Sequence, residues 1–252
     1  MKATSISGHE ASFQTSETDS EGKKFNLTNE TVTIPGTSET LTVVDTVREN
    51  GDTSFYYQDV YPKKKIVLHF TMGYLKGDIA TLTKSHVSVP FLIARNGTIY
   101  NLFASKYWAY HLGPGAVGGN TAMSREGIGI EISNIGPLKK IGTNLVTTYS
   151  NTDVYCSTAD TQFYYKLAVP YRGYEYYAKF TESQYVSLVK LLRFLCGRYT
   201  IPKAFLNEPK RYQKLSATEF VSYRGIVSHV NCRADKVDIG PAFEWQRVIM
   251  AV

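Results

Sequence analysis

The sequence predicts an α/β protein in which helices flank a central mixed β-sheet, with an extension at the N-terminus. Two observations carry this prediction. Short apolar runs typical of buried strands occur at residues 66–70 and 225–229, and an amphipathic helical pattern occupies residues 182–196. Strands and helices that alternate along a chain form a sheet covered by helices. With 252 residues, of which 43% are apolar, the chain can bury a sizeable core.

The N-terminal segment differs in composition from the rest of the chain. It is rich in Ser, Thr, Glu, Asp and Asn and has few large apolar side chains before Leu41, so it cannot bury enough surface to fold alone. We therefore interpret residues 1–60 as an extension that is partly flexible or β-rich. The composition changes at Tyr61-Pro62, and the main domain is predicted to span residues 61–252.

The first half of the main domain contains a strand, a short helix and a hairpin. His69 lies near the end of the strand at residues 66–70, and Gly77-Asp78 is expected to start the helix, with Asp78 as its cap. Residues 91–100 contain two apolar runs separated by Asn96-Gly97. An Asn-Gly pair between such runs predicts a β-hairpin.

Residues 127–133 alternate strictly between apolar and other side chains. Three isoleucines occupy one face, and Gly129, Glu131 and Ser133 occupy the other. We therefore expect a strand on which Glu131 points away from the isoleucine core.

The helix at residues 182–196 has a broad apolar stripe and recognisable ends. Thr181 and Gln184 have the spacing of a capping box, and Gly197 with Pro202 is expected to end the helix. Residues 241–252 are predicted to form a closing helix.

Charge and cysteine content limit the function only weakly. The net charge of +6 and the pI near 9.0 suit an acidic partner such as cell-wall polymer, nucleic acid or a membrane surface. The one basic run, at residues 63–65, is interpreted as a solvated strand entry. The three cysteines lack the spacing of a disulfide framework or a cysteine-only zinc site, and no apolar run approaches the about 18 residues of a membrane span.

Two histidines end apolar segments and are candidate metal ligands. His69 and His229 occupy these positions, and Asp238 follows His229 by nine residues. Two neutral imidazoles and one carboxylate would leave one position open on a tetrahedral zinc ion, as a catalytic site requires. Either histidine alone is more often a core or surface residue.

Four short blocks occur in an order that resembles a known family. They lie at residues 67–71, 91–100 with 110–113, 128–131 and 229–240. In these blocks the chain is similar to the zinc-dependent N-acetylmuramoyl-L-alanine amidases (amidase type 2), which include phage endolysins, wall-recycling amidases and peptidoglycan recognition proteins. The resemblance covers roughly residues 62–250.

The resemblance implies a site and a reaction. His69, His229 and Asp238 would bind Zn²⁺, and the zinc-activated water would cleave the amide between N-acetylmuramic acid and L-alanine in bacterial peptidoglycan or a muropeptide. Glu131 would act as general base and then protonate the leaving amine, and Lys236 would stabilise the oxyanion. His111 would contact substrate rather than zinc.

The chain departs from the family pattern in three places. The spacing from His229 to Asp238 is one residue shorter than in the recycling amidases. Val89-Pro90 stands where some phage members have a catalytic tyrosine, so Glu131 would have to serve instead. Cys232 is an alternative third ligand because some relatives use cysteine, although at a later position, and we favour Asp238.

Two further questions stay open at this point. The tyrosine-rich segment at residues 136–179 is either a saccharide-binding wall or a set of packed strands. The function could also be that of a non-catalytic peptidoglycan-binding module of the same fold, although all three ligands and Glu131 are retained. No nucleic-acid-binding motif is recognised.

The N-terminus leads to an expectation about location. Residues 1–10 lack the basic and apolar regions of a signal peptide. We expect synthesis in the cytoplasm and action on the cell wall after release or delivery, with the N-terminal extension as a candidate contact for delivery machinery.

Overall fold

The structure is a computed structural model that describes residues 2–252. Residues His229–Asn231 form a 3₁₀ turn, which comes between the last strand and the last helix of the series given next. In chain order, the elements are α1 (Lys2–Ser16), β1 (Phe25–Thr33), β2 (Thr40–Arg48), β3 (Lys65–Phe70), α2 (Leu75–Leu82), β4 (Phe91–Ile93), β5 (Ile99–Asn101), α3 (Asn120–Glu126), β6 (Gly127–Ile132), β7 (Pro137–Ile141), β8 (Asn144–Thr147), β9 (Val154–Ser157), β10 (Tyr164–Tyr171), β11 (Tyr174–Ala178), α4 (Glu182–Tyr199), α5 (Glu208–Arg211), α6 (Ala217–Ser222), β12 (Gly225–Ser228) and α7 (Trp245–Ala251).

A seven-stranded mixed sheet forms the centre of the protein, as the sequence predicts. Its strand order is β1-β2-β5-β4-β6-β3-β12. Strand β3 lies between β6 and β12 and pairs in parallel with both, so the carboxyl ends of all three strands meet at one edge. In this register His69 lies beside Glu131. Ligand sites of open parallel sheets commonly lie at this edge, because the loops that follow the strands converge there.

One face of the sheet is covered by α4. The apolar stripe of the helix packs on alternate side chains of β3 and β6, including Ile66, Ile128 and Ile130. The isoleucine face of β6 is therefore buried in this core, as its alternation predicts. Glu131 lies on the opposite face, where it lines a cavity.

The predicted start of α4 is confirmed, but its predicted end is wrong. Thr181 and Gln184 form the capping box, but the helix continues past Gly197 to Tyr199, where Thr200 takes the left-handed conformation at the C-cap. Gly197 serves close packing instead, because a Cβ atom there would lie 2.8 Å from the ring of Pro35. The closing helix α7 begins at Trp245 rather than at residue 241.

The predicted cap of α2 is wrong. The helix begins at Leu75, so Asp78 lies within it rather than before it. The Asp78 side chain instead accepts hydrogen bonds from the hydroxyl groups of Thr71 and Ser133, which follow β3 and β6. The hairpin of β4 and β5 is confirmed, with antiparallel pairing across the turn at Asn96-Gly97.

The N-terminal residues form a helix and a hairpin. Strands β1 and β2 pair with each other, and β2 joins the central sheet beside β5. On α1, Phe13 is fully buried and packs edge to face against Phe25 and Tyr100. The division of the chain near residue 60 stays a prediction. Among residues 2–252, no helix combines the length and the apolar character that crossing a membrane would need.

The tyrosine-rich segment folds into a separate antiparallel sheet. Its order is β10-β11-β7-β8-β9. Tyr174 lines the cavity beside Glu131. Four other tyrosines of the segment are buried: Tyr155, Tyr164, Tyr176 and Tyr177. Strand packing therefore accounts for most of the aromatic content.

Two of the three lysines at the entry to β3 are buried, contrary to the interpretation of this basic run as solvated. Lys63 and Lys65 are buried. The ammonium group of Lys63 donates to the carbonyl oxygens of Tyr107 and Arg125 at 2.9 Å, and that of Lys65 donates to the Phe220 carbonyl. Burial lowers the pKa of each lysine to about 8. These side chains close gaps between backbone segments and are not available to an acidic partner.

Candidate functional site

Three side chains meet where β3 and β12 end. His69 is the next-to-last residue of β3, His229 opens the turn after β12, and Asp238 returns to them because Val230 N donates to the Asp238 carbonyl at 2.8 Å. Nδ1 of His229 lies 3.0 Å from Nδ1 of His69 and 3.0 Å from Oδ2 of Asp238. Nδ1 of His69 lies 3.4 Å from that same oxygen. All three residues are buried.

The hydrogen bond on the far side of His229 fixes its tautomer. Nε2 of His229 lies 2.9 Å from the carbonyl oxygen of Leu112. Because a carbonyl oxygen only accepts, Nε2 carries the hydrogen and, in the neutral ring, Nδ1 carries a lone pair. That lone pair faces His69 and Asp238.

His111 offers His69 the corresponding partner. Nε2 of His69 lies 3.0 Å from Nδ1 of His111. When the Nε2–H of His69 donates to His111, Nδ1 of His69 also presents a lone pair. The sequence led us to expect substrate contact for His111, and the structure places it on the cavity wall with its ring against a candidate ligand.

Charge at the cluster favours unprotonated ligand atoms. Burial and the neighbouring His229 ring together lower the pKa of His69 to about 4, although Asp238 opposes them. Burial also acts to raise the pKa of Asp238, but His229 and His69 outweigh it and hold that pKa below its usual range. The His69 ring is therefore neutral and the Asp238 carboxyl group ionised, so both can offer a lone pair to a cation.

This donor set fits a cation. One ligand atom from each residue lies within 4.8 Å of the other two. Two imidazole nitrogens and one carboxylate oxygen match the ligand types of zinc, and hydrogen bonds from the outer ring nitrogens to His111 and Leu112 are the supports that metal-bound histidines usually have.

Cys232, the alternative third ligand, lies apart from this cluster. Its thiol donates to the His229 carbonyl oxygen at 3.2 Å, and the side chain packs in an apolar cluster with Val67, Leu112 and Val227. Burial raises the pKa of the Cys232 thiol to about 12, which disfavours the thiolate that binds metal.

Glu131 faces the cavity with one oxygen unpaired. It sits on β6 directly beside His69, and its Oε2 is buried without a hydrogen-bond donor. Burial raises the pKa of Glu131 well above its usual value, and the negative charges of Asp238 and Asp78 add to this, while Lys236 opposes it. A buried carboxyl group with a raised pKa can hold and release a proton near neutral pH.

Two glycines on β6 make room for the His111 ring. A Cβ atom on Gly127 would lie 3.1 Å from Nε2 of His111, and one on Gly129 would lie 3.1 Å from the ring carbon Cγ and 2.5 Å from Val89. The alternation of residues 127–133 therefore has a second meaning. The face that carries Glu131 is lined by glycines because an imidazole lies on it.

The cavity that these residues border has a volume of about 940 Å³. Glu131, His229, Asp238 and Lys236 all line it, so the predicted catalytic residues share one space with the ligand cluster. The tip of the β10–β11 hairpin supports the loop of Lys236, because the Arg172 guanidinium donates to the Ala234 carbonyl.

Analysis of the sequence missed three contributors to the site. The Leu112 carbonyl carries no side-chain signal at all. The sequence shows glycines at positions 127 and 129, but it does not show that the His111 ring packs against them. Asp78 lines the cavity, although its position before an apolar pattern suggested a helix cap.

Comparison with known proteins adds a family match. The sequence profile described as N-acetylmuramoyl-L-alanine amidase matches residues 59–241, well over half of the chain. The N-acetylmuramoyl-L-alanine amidase AmiD of Escherichia coli (strain K12) is 26% identical over 206 residues. That match covers 78% of this chain but 56% of AmiD, so the chain spans little more than half the length of this relative.

Three solved structures of similar proteins align with most of the chain. AmiD from E. coli, in complex with anhydro-N-acetylmuramic acid-L-Ala-D-γ-Glu-L-Lys, aligns with a TM-score of 0.49 and 25% identity over 81% of this chain and 65% of that one. AmpDh3 of Pseudomonas aeruginosa aligns with a TM-score of 0.47 and 19% identity over 79% and 65%. The endolysin LysCS of Clostridium intestinale aligns with a TM-score of 0.42 and 16% identity over 77% and 87%.

Proposed function

Because the chain belongs to the N-acetylmuramoyl-L-alanine amidase family, we propose that it hydrolyses the amide bond between N-acetylmuramic acid and L-alanine of peptidoglycan, with Zn²⁺ as its cofactor. The proposed substrate is part of the bacterial cell wall, and the wall is therefore where the protein would act. His69, His229 and Asp238 would hold the ion through the two Nδ1 atoms and Oδ2.

The observation that carries the proposal is the convergence of one possible ligand atom from each of three buried residues beside the cavity. Each pair of these atoms is separated by 3.0–3.4 Å. A metal ion that binds to all three atoms would take the place of the protons that otherwise link them. Three protein ligands also leave a coordination position open, which is the arrangement of catalytic rather than structural zinc sites.

The remaining chemistry is assigned to Glu131 and Lys236. Zn²⁺ bound at this site would supply a Lewis acid that polarises the scissile carbonyl and makes a water molecule more acidic. Glu131 would accept a proton from the attacking water at Oε2, the atom that lacks a donor, and return it to the nitrogen of the leaving L-alanine. The Lys236 ammonium, on the same cavity wall, would stabilise negative charge that develops on the carbonyl oxygen.

The raised pKa of Glu131 would be compatible with its role as a base if zinc were bound. The Asp238 charge is one cause of the raised pKa of Glu131. A divalent cation beside Asp238 cancels that charge, so the pKa of Glu131 should fall and the carboxylate form should gain population at neutral pH.

Digestion of purified peptidoglycan tests the proposal. The products, analysed by mass spectrometry, should contain new stem-peptide amino termini at L-alanine and no new reducing sugars, and Glu131→Gln protein should release almost none. New reducing ends would identify a glycosidase instead. Binding of peptidoglycan without any cleavage, by protein that holds no stoichiometric zinc, would identify a non-catalytic binding module.

A further inference from the structure

Asp78 is a buried carboxylate in the cavity wall that the proposed reaction does not use. Only 6% of the residue is exposed, and it lines the same cavity as Glu131. Helix α2 positions it beside the segments that follow β3 and β6. Its charge reaches the active centre, because it is one of the groups that raise the pKa of Glu131.

The two oxygens of Asp78 have different surroundings. Oδ2 accepts hydrogen bonds from the Ser133 hydroxyl at 2.7 Å and from the Thr71 hydroxyl at 2.9 Å. Oδ1 receives no hydrogen bond from the described part of the chain and lies against Gly73, where a Cβ atom would stand 2.1 Å from it. Any side chain at position 73 would therefore cover Oδ1, and glycine leaves its lone pairs accessible from the cavity.

Among residues 2–252, no cation forms an ion pair with Asp78. Arg95 is the nearest candidate, since its guanidinium lies 3.4 Å from the Ser133 hydroxyl that Asp78 binds. However, Arg95 is already matched by the buried carboxylate of Glu10, at 3.5 Å, and Glu10 also accepts from the backbone N–H groups of Arg95 and Asn96. Glu10 therefore offsets part of the Arg95 charge at Asp78, and Arg95 forms its ion pair with Glu10 rather than with Asp78.

A buried carboxylate with a free oxygen is stabilised by a cationic donor. Burial raises the pKa of Asp78 to about 6, and the hydroxyl groups of Ser133 and Thr71 and the charge of Arg95 only partly oppose this. Two hydroxyl donors on Oδ2 favour the ionised form, which leaves Oδ1 as the oxygen without a donor. An ammonium group that enters the cavity would replace lost hydration and add a charge-assisted hydrogen bond.

We propose that Oδ1 of Asp78 forms a subsite for a primary ammonium group on the stem peptide of the substrate. The inference rests on the proposed amidase function, because that function supplies the peptide. In this role Asp78 would determine specificity. It would favour stem peptides with a free side-chain amine over stem peptides in which that amine is acylated.

Two muropeptides that differ only at this amine test the subsite. The first is anhydro-N-acetylmuramic acid-L-Ala-D-γ-Glu-L-Lys, and the second is the same compound with the lysine side chain N-acetylated. Calorimetry on the zinc-loaded Glu131→Gln protein gives the Kd of each without turnover. We expect the free amine to bind on the order of tenfold or more tightly, which is the usual effect of one hydrogen bond to a charged group.

Asp78→Asn in the same background should abolish this preference, because the amide keeps an acceptor for the two hydroxyls and loses the charge. Ser133→Ala is the matched control, since it removes one neighbour of Oδ2 and leaves Oδ1 charged, and it should keep the preference. The proposal would be overturned if the protein with Asp78 bound both peptides with equal Kd. It would also be overturned if Asp78→Asn kept the full preference for the free amine.

The same peptides separate this inference from the proposed function. Turnover by the wild-type protein decides whether the chain is an amidase. The ratio of the two Kd values decides whether Asp78 recognises the ammonium group. Binding with the expected preference but no cleavage would contradict the amidase proposal alone. Cleavage of both peptides with equal kcat/KM would contradict the subsite alone.

Discussion

Nε2 of His69 lies 3.0 Å from Nδ1 of His111, and both rings are buried. Burial lowers the pKa of His111 well below its usual value, and the His69 and His229 rings contribute to this, so the His111 ring is neutral and can accept a hydrogen bond. The contact can therefore orient His69 and keep its Nδ1 available to a metal ion.

His111→Phe should lower zinc affinity about 10–100-fold, because it fills the same space without an acceptor for His69. A competition titration with a chromophoric chelator measures the change. His111→Asn is the matched variant, since its side-chain oxygen can replace Nδ1, and it should recover part of the affinity. Zinc affinity of His111→Phe equal to that of the wild type would show that His111 does not orient His69.

Asp238→Ala and Cys232→Ala should differ in zinc content. The first variant removes the oxygen that lies 3.0 Å from Nδ1 of His229, so only two ligands remain and stoichiometric zinc should be lost. The second removes a thiol that packs in an apolar cluster, and it should keep its zinc. Metal analysis of both purified proteins decides the matter, and the reverse result would make Cys232 the third ligand.

Glu131→Gln should keep zinc and lose most turnover. The amide has nearly the shape of the carboxyl group but cannot accept a proton from water, and loss of a general base typically costs about 10²–10⁴-fold in rate. Zinc content and kcat measured on the same preparation separate this effect from loss of the metal. Turnover close to that of the wild type would exclude Glu131 as the base.

Gly129→Ala should destabilise the fold. The added methyl group would stand 2.5 Å from a Val89 methyl and 3.1 Å from the His111 ring, and such overpacking usually costs about 1–3 kcal/mol. Urea unfolding gives the change in free energy. Gly8→Ala, in helix α1 with no atom within 4 Å of the new methyl, is the control and should be neutral or slightly stabilising. Equal stability of the two variants would contradict the close packing at position 129.

Asp78→Asn should change how stability depends on pH. In the folded protein burial raises the pKa of Asp78 from about 3.8 to about 6, so as the pH rises from 4 to 6 the unfolded chain releases this proton while the folded chain still holds it. The stability that the protonated group contributes is therefore present below about pH 4 and is lost as the pH rises through 6.

A difference of about 2 in pKa corresponds to about 3 kcal/mol, so the wild type should lose up to about that much relative to Asp78→Asn over this range. Urea titrations of both proteins at pH 4, 5, 6 and 7 measure the difference. Parallel stability curves for the two proteins would show that the Asp78 carboxyl group titrates normally.

Local pattern in the sequence was enough for several parts of the fold. The alternation of residues 127–133 gives the buried face of β6, and the spacing of Thr181 and Gln184 gives the capping box of α4. Both features depend on residues a few positions apart, so the periodicity of a strand or helix defines them. His69 and His229 could be named as candidate ligands because they end apolar segments, whereas the roles of Glu131, Lys236 and His111 came from the resemblance to the amidase family.

Only the tertiary structure decided how distant residues meet. His69 and His229 are 160 residues apart and come into contact because β3 and β12 are parallel neighbours. The same holds for the burial of Lys63, which depends on carbonyl groups from two other segments. Asp78 looked like a cap in its local sequence but bonds Thr71 and Ser133 across the edge of the sheet. Sequence determines which side chains an element presents and on which face, whereas the partners of a buried polar group are set by long-range packing that no local period records.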